Sequence, residues 1–146
     1  MHQVAQVVAA RIELRAERDT FYVSIGSFDD HNSLERIYDK FRDIDAAMEL
    51  FVREMEEMDI WDATVVAMSS DFARTLRFNG HGTDHSWGGN YMVFGGSLKG
   101  GMMLGRFPSL DLSLSDMIPD SHRGSLIPTT PWEGMWAPIA SWFGVE

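Results

Sequence analysis

The spacing of apolar and polar residues along the chain predicts three helices. The first is expected over about residues 2 to 18, where apolar side chains recur at helical spacing. A longer amphipathic helix is expected from about Leu34 to Met58, with its charged residues on the other side. A third is expected from about Pro131 to Phe143, kinked by Pro138 and ended by Gly144.

Apolar runs between these helices predict strands. Residues 20–26 (TFYVSIG) are rich in β-branched and aromatic side chains, and residues 63–68 (ATVVAM) form a second run of this kind. Residues 91–96 (YMVFGG) are a third candidate, and residues 102–105 (MMLG) are expected to follow in a hairpin. Residues 107–125 are polar and are expected to form a loop.

The order strand, helix, strand in the first half of the chain is typical of a βαβ unit with parallel strands. The expected fold class is therefore α/β, with a mainly parallel sheet flanked by helices. Parallel strands end at one edge of a sheet, so the loops SFDDHN (27–32) and SSDFART (69–75) should emerge together. Open α/β sheets bind ligands at that edge, and the residues predicted to be neighbours there are Asp29, Asp30, His31 and Asp71.

Carboxylate and imidazole side chains recur in three loops. Asp29 and His31 lie in the first loop, Asp71 in the second, and Asp84 and His85 in the glycine-rich third, NGHGTDHSWGGN. Divalent metals bind carboxylate oxygen and imidazole nitrogen, and catalytic sites leave one position for water or substrate. We therefore predict a metal site. The alternative interpretation gives the same side chains turn, helix-capping or other structural roles.

One arginine and one histidine near these loops allow two interpretations each. Arg74 follows Asp71 by three positions, and its planar guanidinium suits a tetrahedral oxyanion. A salt bridge to a neighbouring acid is the alternative. His81, flanked by Gly80 and Gly82, is expected to be exposed and without a role in the site.

Composition narrows the classes of function. A net charge of −10 without a basic stripe argues against a nucleic-acid-binding protein. The absence of cysteine excludes disulfides, thiolate metal sites and a cysteine nucleophile. No apolar run reaches the roughly 20 residues that span a bilayer. The N-terminus lacks the pattern of a signal peptide, so the chain read literally is expected in the cytoplasm.

Longer motifs resemble a known family. GSFDDHN, then VVAMSSDFARTLRFNGHGTDHSWGGNYMVFGGSLKGG, then GRFP and LIPTT…WFGV are similar to the C-terminal half of a large bacterial family. It is described as a sulfatase-like domain of unknown function and resembles the alkaline phosphatase and sulfatase superfamily. The resemblance implies one domain over residues 1–146 with a partial three-layer α/β/α fold. It also implies hydrolysis of phosphate or sulfate esters at a site of divalent ions.

The resemblance also implies roles by position. Asp29 and His31 fall on the metal-binding motif G-x-FDTH, although Asp30 stands where the family has Thr. Asp71 falls on the acidic ligand of the motif S-[DE]-F-G-R-T, with Arg74 beside it to bind the anion.

The motif G-T-D-H-x-W-G-G is present unaltered. It implies that His85 is a ligand and that Asp84 is a ligand or a partner that orients His85. The implied ions are zinc, manganese or calcium, and the implied substrate is a small phosphate or sulfate ester.

The superfamily places its nucleophile and first metal-binding aspartate in an N-terminal half that nothing in this chain resembles. The resemblance therefore implies a truncated or fragmentary hydrolase with an unassigned nucleophile, and relatives that are often exported to the periplasm. The alternative is a non-catalytic metal-binding or oligomerisation module. We expect a homo-oligomer formed through an exposed sheet edge or apolar face, and whether the chain is an enzyme is left open.

Overall fold

A computed structural model of the chain describes residues 1–111, 113 and 123–145. The regular elements of the described part are helices and short strands. In chain order they are α1 (His2–Ala9), α2 (Arg11–Leu14), α3 (Ile37–Glu57), a 3-10 turn (Trp61–Ala63), β1 (Val65–Met68), β2 (Ala73–Arg74), β3 (His85–Ser86), β4 (Met92–Gly95) and α4 (Glu133–Phe143).

The chain divides into two compact units. The first unit comprises Met1–Phe28, Glu35–Val66 and Gly95–Leu98, and the second comprises Asp29–Leu34, Ala67–Phe94 and Lys99–Glu146. The expectation of a single domain stays a prediction.

The core of the first unit lies between α1 and α3. The apolar face of α3 buries Phe51 and Met55 against Ala5 of α1, and Met55 is fully buried. Partly buried apolar side chains surround these three: Met1, Val4, Val8, Met58, Ile60, Trp61 and Val66. The long amphipathic helix predicted from its periodicity is thus confirmed as α3, with slightly narrower bounds.

The predicted C-terminal helix is confirmed with a later start, at Glu133, whereas the single helix predicted at the N-terminus is two shorter helices. The N-terminal helix breaks at Ala10, where the backbone leaves helical geometry, and α2 then ends at Arg15 in the left-handed region. The C-terminal helix α4 contains Pro138 and ends at Gly144. The φ of Gly144 is 89°, a left-handed backbone conformation that glycine adopts at little cost in free energy. None of the described helices is both long and apolar enough to cross a membrane.

The predicted sheet is wrong. The described strands form two separate two-stranded sheets, one of β1 with β4 and one of β2 with β3. Strands β2 and β3 run antiparallel, with Ala73 opposite Ser86 and Arg74 opposite His85. Among the described residues there is no mainly parallel sheet, and hence no three-layer alkaline-phosphatase-like arrangement.

The error begins at residues 20–26, which form no strand, so the βαβ unit does not exist. Their composition favours a strand, but a strand also needs a neighbour to accept its backbone hydrogen bonds. Here the side chains stay accessible, with Tyr22 91% exposed. Residues 102–105 likewise form no strand. The loop expected at 107–125 lies partly outside the described residues.

Candidate metal centre

The glycine-rich loop, residues 79–90, contains strand β3, which pairs with β2 in an antiparallel hairpin of the second unit. Beyond the paired residues, the Thr75 N–H donates to the carbonyl of Asp84 at 3.0 Å, and the Asp84 N–H donates to Thr75 Oγ1 at 3.1 Å. Thr75 is buried, so water does not compete for these bonds. The hairpin therefore sets the backbone positions of Asp84 and His85.

Three of the predicted ligands converge on one point. Asp29 Oδ1 lies 2.9 Å from His31 Nε2 and 2.7 Å from His85 Nε2. One possible ligand atom from each residue lies within 4.8 Å of the other two. His31 is partly buried, whereas Asp29 and His85 are more exposed. We call Asp29, His31 and His85 the ligand triad; all three belong to the second unit.

The donor set of the ligand triad fits a divalent transition metal. Two imidazole nitrogens and one carboxylate oxygen match catalytic zinc sites, which keep a fourth position open. In a zinc tetrahedron adjacent ligand atoms lie about 3.3 Å apart, so Asp29 Oδ1 and each histidine Nε2 need to separate by roughly half an ångström. Calcium fits less well because it takes six to eight oxygen ligands.

Ring stacking holds the His85 side chain. Its ring lies 3.9 Å from that of Phe72, centroid to centroid, at 6° between the planes. It also stacks with the ring of His31, with the ring centroids 4.8 Å apart and 30° between the planes. These contacts restrict rotation of the imidazole and keep its Nε2 directed at Asp29. Sequence reasoning missed Phe72, since an aromatic residue after a strand is ordinary.

Asp84 lies beside His31 rather than in the ligand triad. Its Oδ1 is 3.3 Å from His31 Nδ1, within hydrogen-bond distance. A carboxylate at Nδ1 favours the tautomer that carries its proton there, and the lone pair of Nε2 is then available to a metal. The resemblance implied that Asp84 binds an ion or orients His85; the structure places it against His31.

Several contacts keep Asp84 negatively charged. The Asn79 amide donates to Oδ1 at 2.9 Å, and Arg123 Nη1 lies 3.4 Å from Oδ2. The hydrogen bond from Asn79 is the largest cause that lowers the pKa of Asp84. The bond with His31 and the charge of Arg123 lower it further, and partial desolvation opposes them. Nothing in the sequence pattern indicated Arg123, because it lies far along the chain.

Arg74 reaches the same oxygen as the two histidines. Its Nη2 lies 3.6 Å from Asp29 Oδ1, while Nη1 donates to the carbonyl of Thr83 at 2.7 Å. The guanidinium also lies 4.8 Å above the Phe72 ring. The pKa of Asp29 is lowered chiefly by its hydrogen bond with His85, and the charges of the histidines and Arg74 act in the same direction against partial desolvation.

Asp71 and His81 stand apart from the ligand triad. Asp71 is exposed and is not among the three converging residues. Its predicted proximity to Asp29 required parallel strands, which are absent from the described residues, so its role as a ligand stays a prediction. His81 is exposed, as predicted, and its backbone N–H donates to Asn79 Oδ1 at 3.0 Å.

Gly82 lets the glycine-rich loop pack directly on the loop of the first two ligands. A Cβ at this position would lie 2.6 Å from the carbonyl oxygens of Asp30 and His31. These are backbone atoms, so a side chain at position 82 would have to displace the loop that carries His31.

We expect Gly82→Ala to lower the free energy of unfolding by about 1–3 kcal/mol, the usual cost of overpacking. The matched control is Gly100→Ala, since a Cβ at Gly100 meets nothing within 4 Å. Urea denaturation of both variants checks the expectation. Equal stability of the two would show that the close approach at Gly82 does not constrain the loop.

Comparison with known proteins places the chain in a family. No curated protein and no solved structure matches it significantly. The profile of the family "Protein of unknown function (DUF1501)" matches residues 1–118, a range that contains the ligand triad, Arg74 and Asp84. This confirms the resemblance at the level of a family of unknown function. The chain therefore belongs to the DUF1501 family of proteins of unknown function.

Proposed function

We propose that the ligand triad binds a divalent metal ion, zinc or manganese, and that the site hydrolyses phosphate or sulfate esters. One observation carries the proposal: the Nε2 atoms of His31 and His85 both lie within 3 Å of Asp29 Oδ1, at 2.9 and 2.7 Å. A second carboxylate, that of Asp84, faces the other ring nitrogen of His31. An imidazole with a carboxylate on its outer nitrogen is the usual arrangement of metal-binding histidines.

Each side chain of the site has a distinct part in this proposal. Asp29, His31 and His85 hold the ion, which when bound would polarise an ester oxygen and lower the pKa of a coordinated water. Asp84 keeps His31 in the tautomer that can bind metal. Arg74 supplies positive charge beside the triad for the anionic oxygens of the ester, and Thr83 and Phe72 fix its position.

The finer assignment, to hydrolases of the alkaline phosphatase and sulfatase type, is supported by the motifs around the triad. The stretch GTDHSWGG supplies His85 and Asp84, and the stretch GSFDDH supplies Asp29 and His31. Esters of phosphate and sulfate are anions, and the guanidinium of Arg74 next to a metal ion suits them.

The test begins with protein freed of metal by a chelator and reloaded with zinc or manganese. Elemental analysis is expected to show a stoichiometric ion, and turnover of 4-nitrophenyl phosphate or 4-nitrophenyl sulfate is expected only after reloading. Tight metal binding without turnover of either ester would favour the non-catalytic module. Absence of metal binding would refute the whole proposal.

Arg74 allows a sharper test of ester binding. We expect Arg74→Ala to raise KM about tenfold or more, because a hydrogen bond to a charged group contributes about 1.5–3 kcal/mol. Metal stoichiometry should not change. The control is Arg53→Ala, which removes an exposed arginine paired with Glu49 on α3 of the first unit. An unchanged KM for Arg74→Ala would leave Arg74 with a salt-bridge role only.

A further inference from the structure

Asn79 uses both ends of its amide group. Its Oδ1 accepts hydrogen bonds from the backbone N–H groups of His81 at 3.0 Å and Gly82 at 2.7 Å. Its Nδ2 donates to Asp84 Oδ1 at 2.9 Å and to the carbonyl of His31 at 3.2 Å. The oxygen therefore closes a turn within its own loop, and the nitrogen bonds to two residues of the candidate site.

We infer that Asn79 is a positioning residue for the metal site and acts on His31 through Asp84. The inference rests on the proposed metal-binding function. The path is short and continuous: Asn79 Nδ2 donates to Asp84 Oδ1, the same oxygen lies 3.3 Å from His31 Nδ1, and His31 Nε2 faces the ligand triad.

The second bond of Nδ2 supports the same role. It ties Asn79 to the backbone of His31, so the amide fixes both the main chain that carries the imidazole and the carboxylate that orients it. Packing at Gly82 brings these loops together but cannot select a tautomer. That selection depends on where the Asp84 carboxylate lies, and the Asn79 amide fixes its position together with Arg123.

An aspartate at position 79 separates the two functions of the amide. Asn79→Asp has nearly the same shape and keeps an oxygen that can accept from His81 and Gly82, so the turn can still close. It loses the donor and places a second carboxylate against Asp84. Because the turn is kept, any effect of Asn79→Asp on the metal site arises at its contact with Asp84.

The first measurement is the zinc affinity of the full chain, by competition with a chelating dye. We expect Asn79→Asp and Asn79→Ala to weaken zinc binding about tenfold. This is the lower end of the loss in affinity, about 10- to 100-fold, that follows removal of a residue hydrogen-bonded to a metal ligand. Asp84→Ala should weaken it by about 10- to 100-fold. The double variant Asn79→Ala, Asp84→Ala should be no weaker than Asp84→Ala, because Asn79 acts through Asp84.

The second measurement needs no metal. In the metal-free protein the ¹⁵N shift of His31 Nδ1 should report a hydrogen bond with Asp84 Oδ1, which lies 3.3 Å away, and Asn79→Asp should weaken that bond. The control is Asn90→Ala, an exposed asparagine beside two glycines, which should match the wild type in both measurements. Thermal unfolding identifies variants that do not fold, and Asn79→Ala then replaces Asn79→Asp.

These outcomes separate the inference from the function on which it rests. A wild type that binds no zinc refutes the proposed function, whereas the ¹⁵N shift of His31 Nδ1 in metal-free protein still tests Asn79. The inference is overturned if Asn79→Asp leaves the ¹⁵N shift of His31 Nδ1 and the zinc affinity as in the wild type. It is also overturned if the effects of Asn79→Ala and Asp84→Ala multiply in the double variant.

Discussion

Replacing His85 by alanine is expected to weaken zinc binding by more than a hundredfold. Removing a residue that is hydrogen-bonded to a metal ligand lowers the metal affinity about 10- to 100-fold, and removing a ligand itself lowers it further. His85 Nε2 is the atom closest to Asp29 Oδ1 in the ligand triad, at 2.7 Å, so only two ligands would remain. Competition with a chelating dye measures the affinity, and elemental analysis measures the stoichiometry.

The matched control is His81→Ala. His81 lies four positions earlier in the same loop, is exposed and is outside the ligand triad. The His81→Ala variant should bind zinc as the wild type does. A stoichiometry that His85→Ala leaves unchanged would remove His85 from the site, and equal losses in both variants would indicate a general effect on the loop.

Met55→Ala is expected to have the largest effect on stability, lowering the free energy of unfolding by about 2–5 kcal/mol. Met55 is the one described side chain with 0% exposure, and it packs with Phe51 and Ala5 between α1 and α3. Truncation removes buried apolar surface and leaves a cavity that the two helices can close only in part. Urea denaturation followed by far-UV circular dichroism measures the change, since α3 is the longest described helix.

Met103→Ala is the control for Met55→Ala. Met103 is 73% exposed, so its truncation should change the free energy of unfolding by less than about 0.5 kcal/mol. A loss below 1 kcal/mol for Met55→Ala would contradict the view that the contact between α1 and α3 holds the first unit together.

Helices were predictable here because their signal is local. The spacing of apolar residues in α3 and the glycine after α4 act within a few positions of the chain, and both predictions are confirmed. Strand pairing is not local. Residues 20–26 have the composition of a buried strand, yet no neighbouring strand pairs with them, and the parallel sheet inferred from them is absent from the described residues.

The candidate site shows the same division. Three of the residues predicted from the motifs, Asp29, His31 and His85, do converge. They carry the oxygen and nitrogen donors that metals bind. The predicted cause of their proximity, a shared edge of a parallel sheet, is wrong. An antiparallel hairpin and the close approach of Gly82 to the His31 backbone bring them together instead.

The helical segments, the acidic and cysteine-free character of the chain, and a small set of residues capable of binding metal all follow from the amino-acid sequence. The contacts that bring these residues together, place Asp84 against His31 and link the two through Asn79 become visible only in the folded chain. Helix formation and side-chain chemistry depend on neighbours in the chain. Ligand geometry depends instead on hydrogen bonds and backbone approaches between loops far apart in sequence.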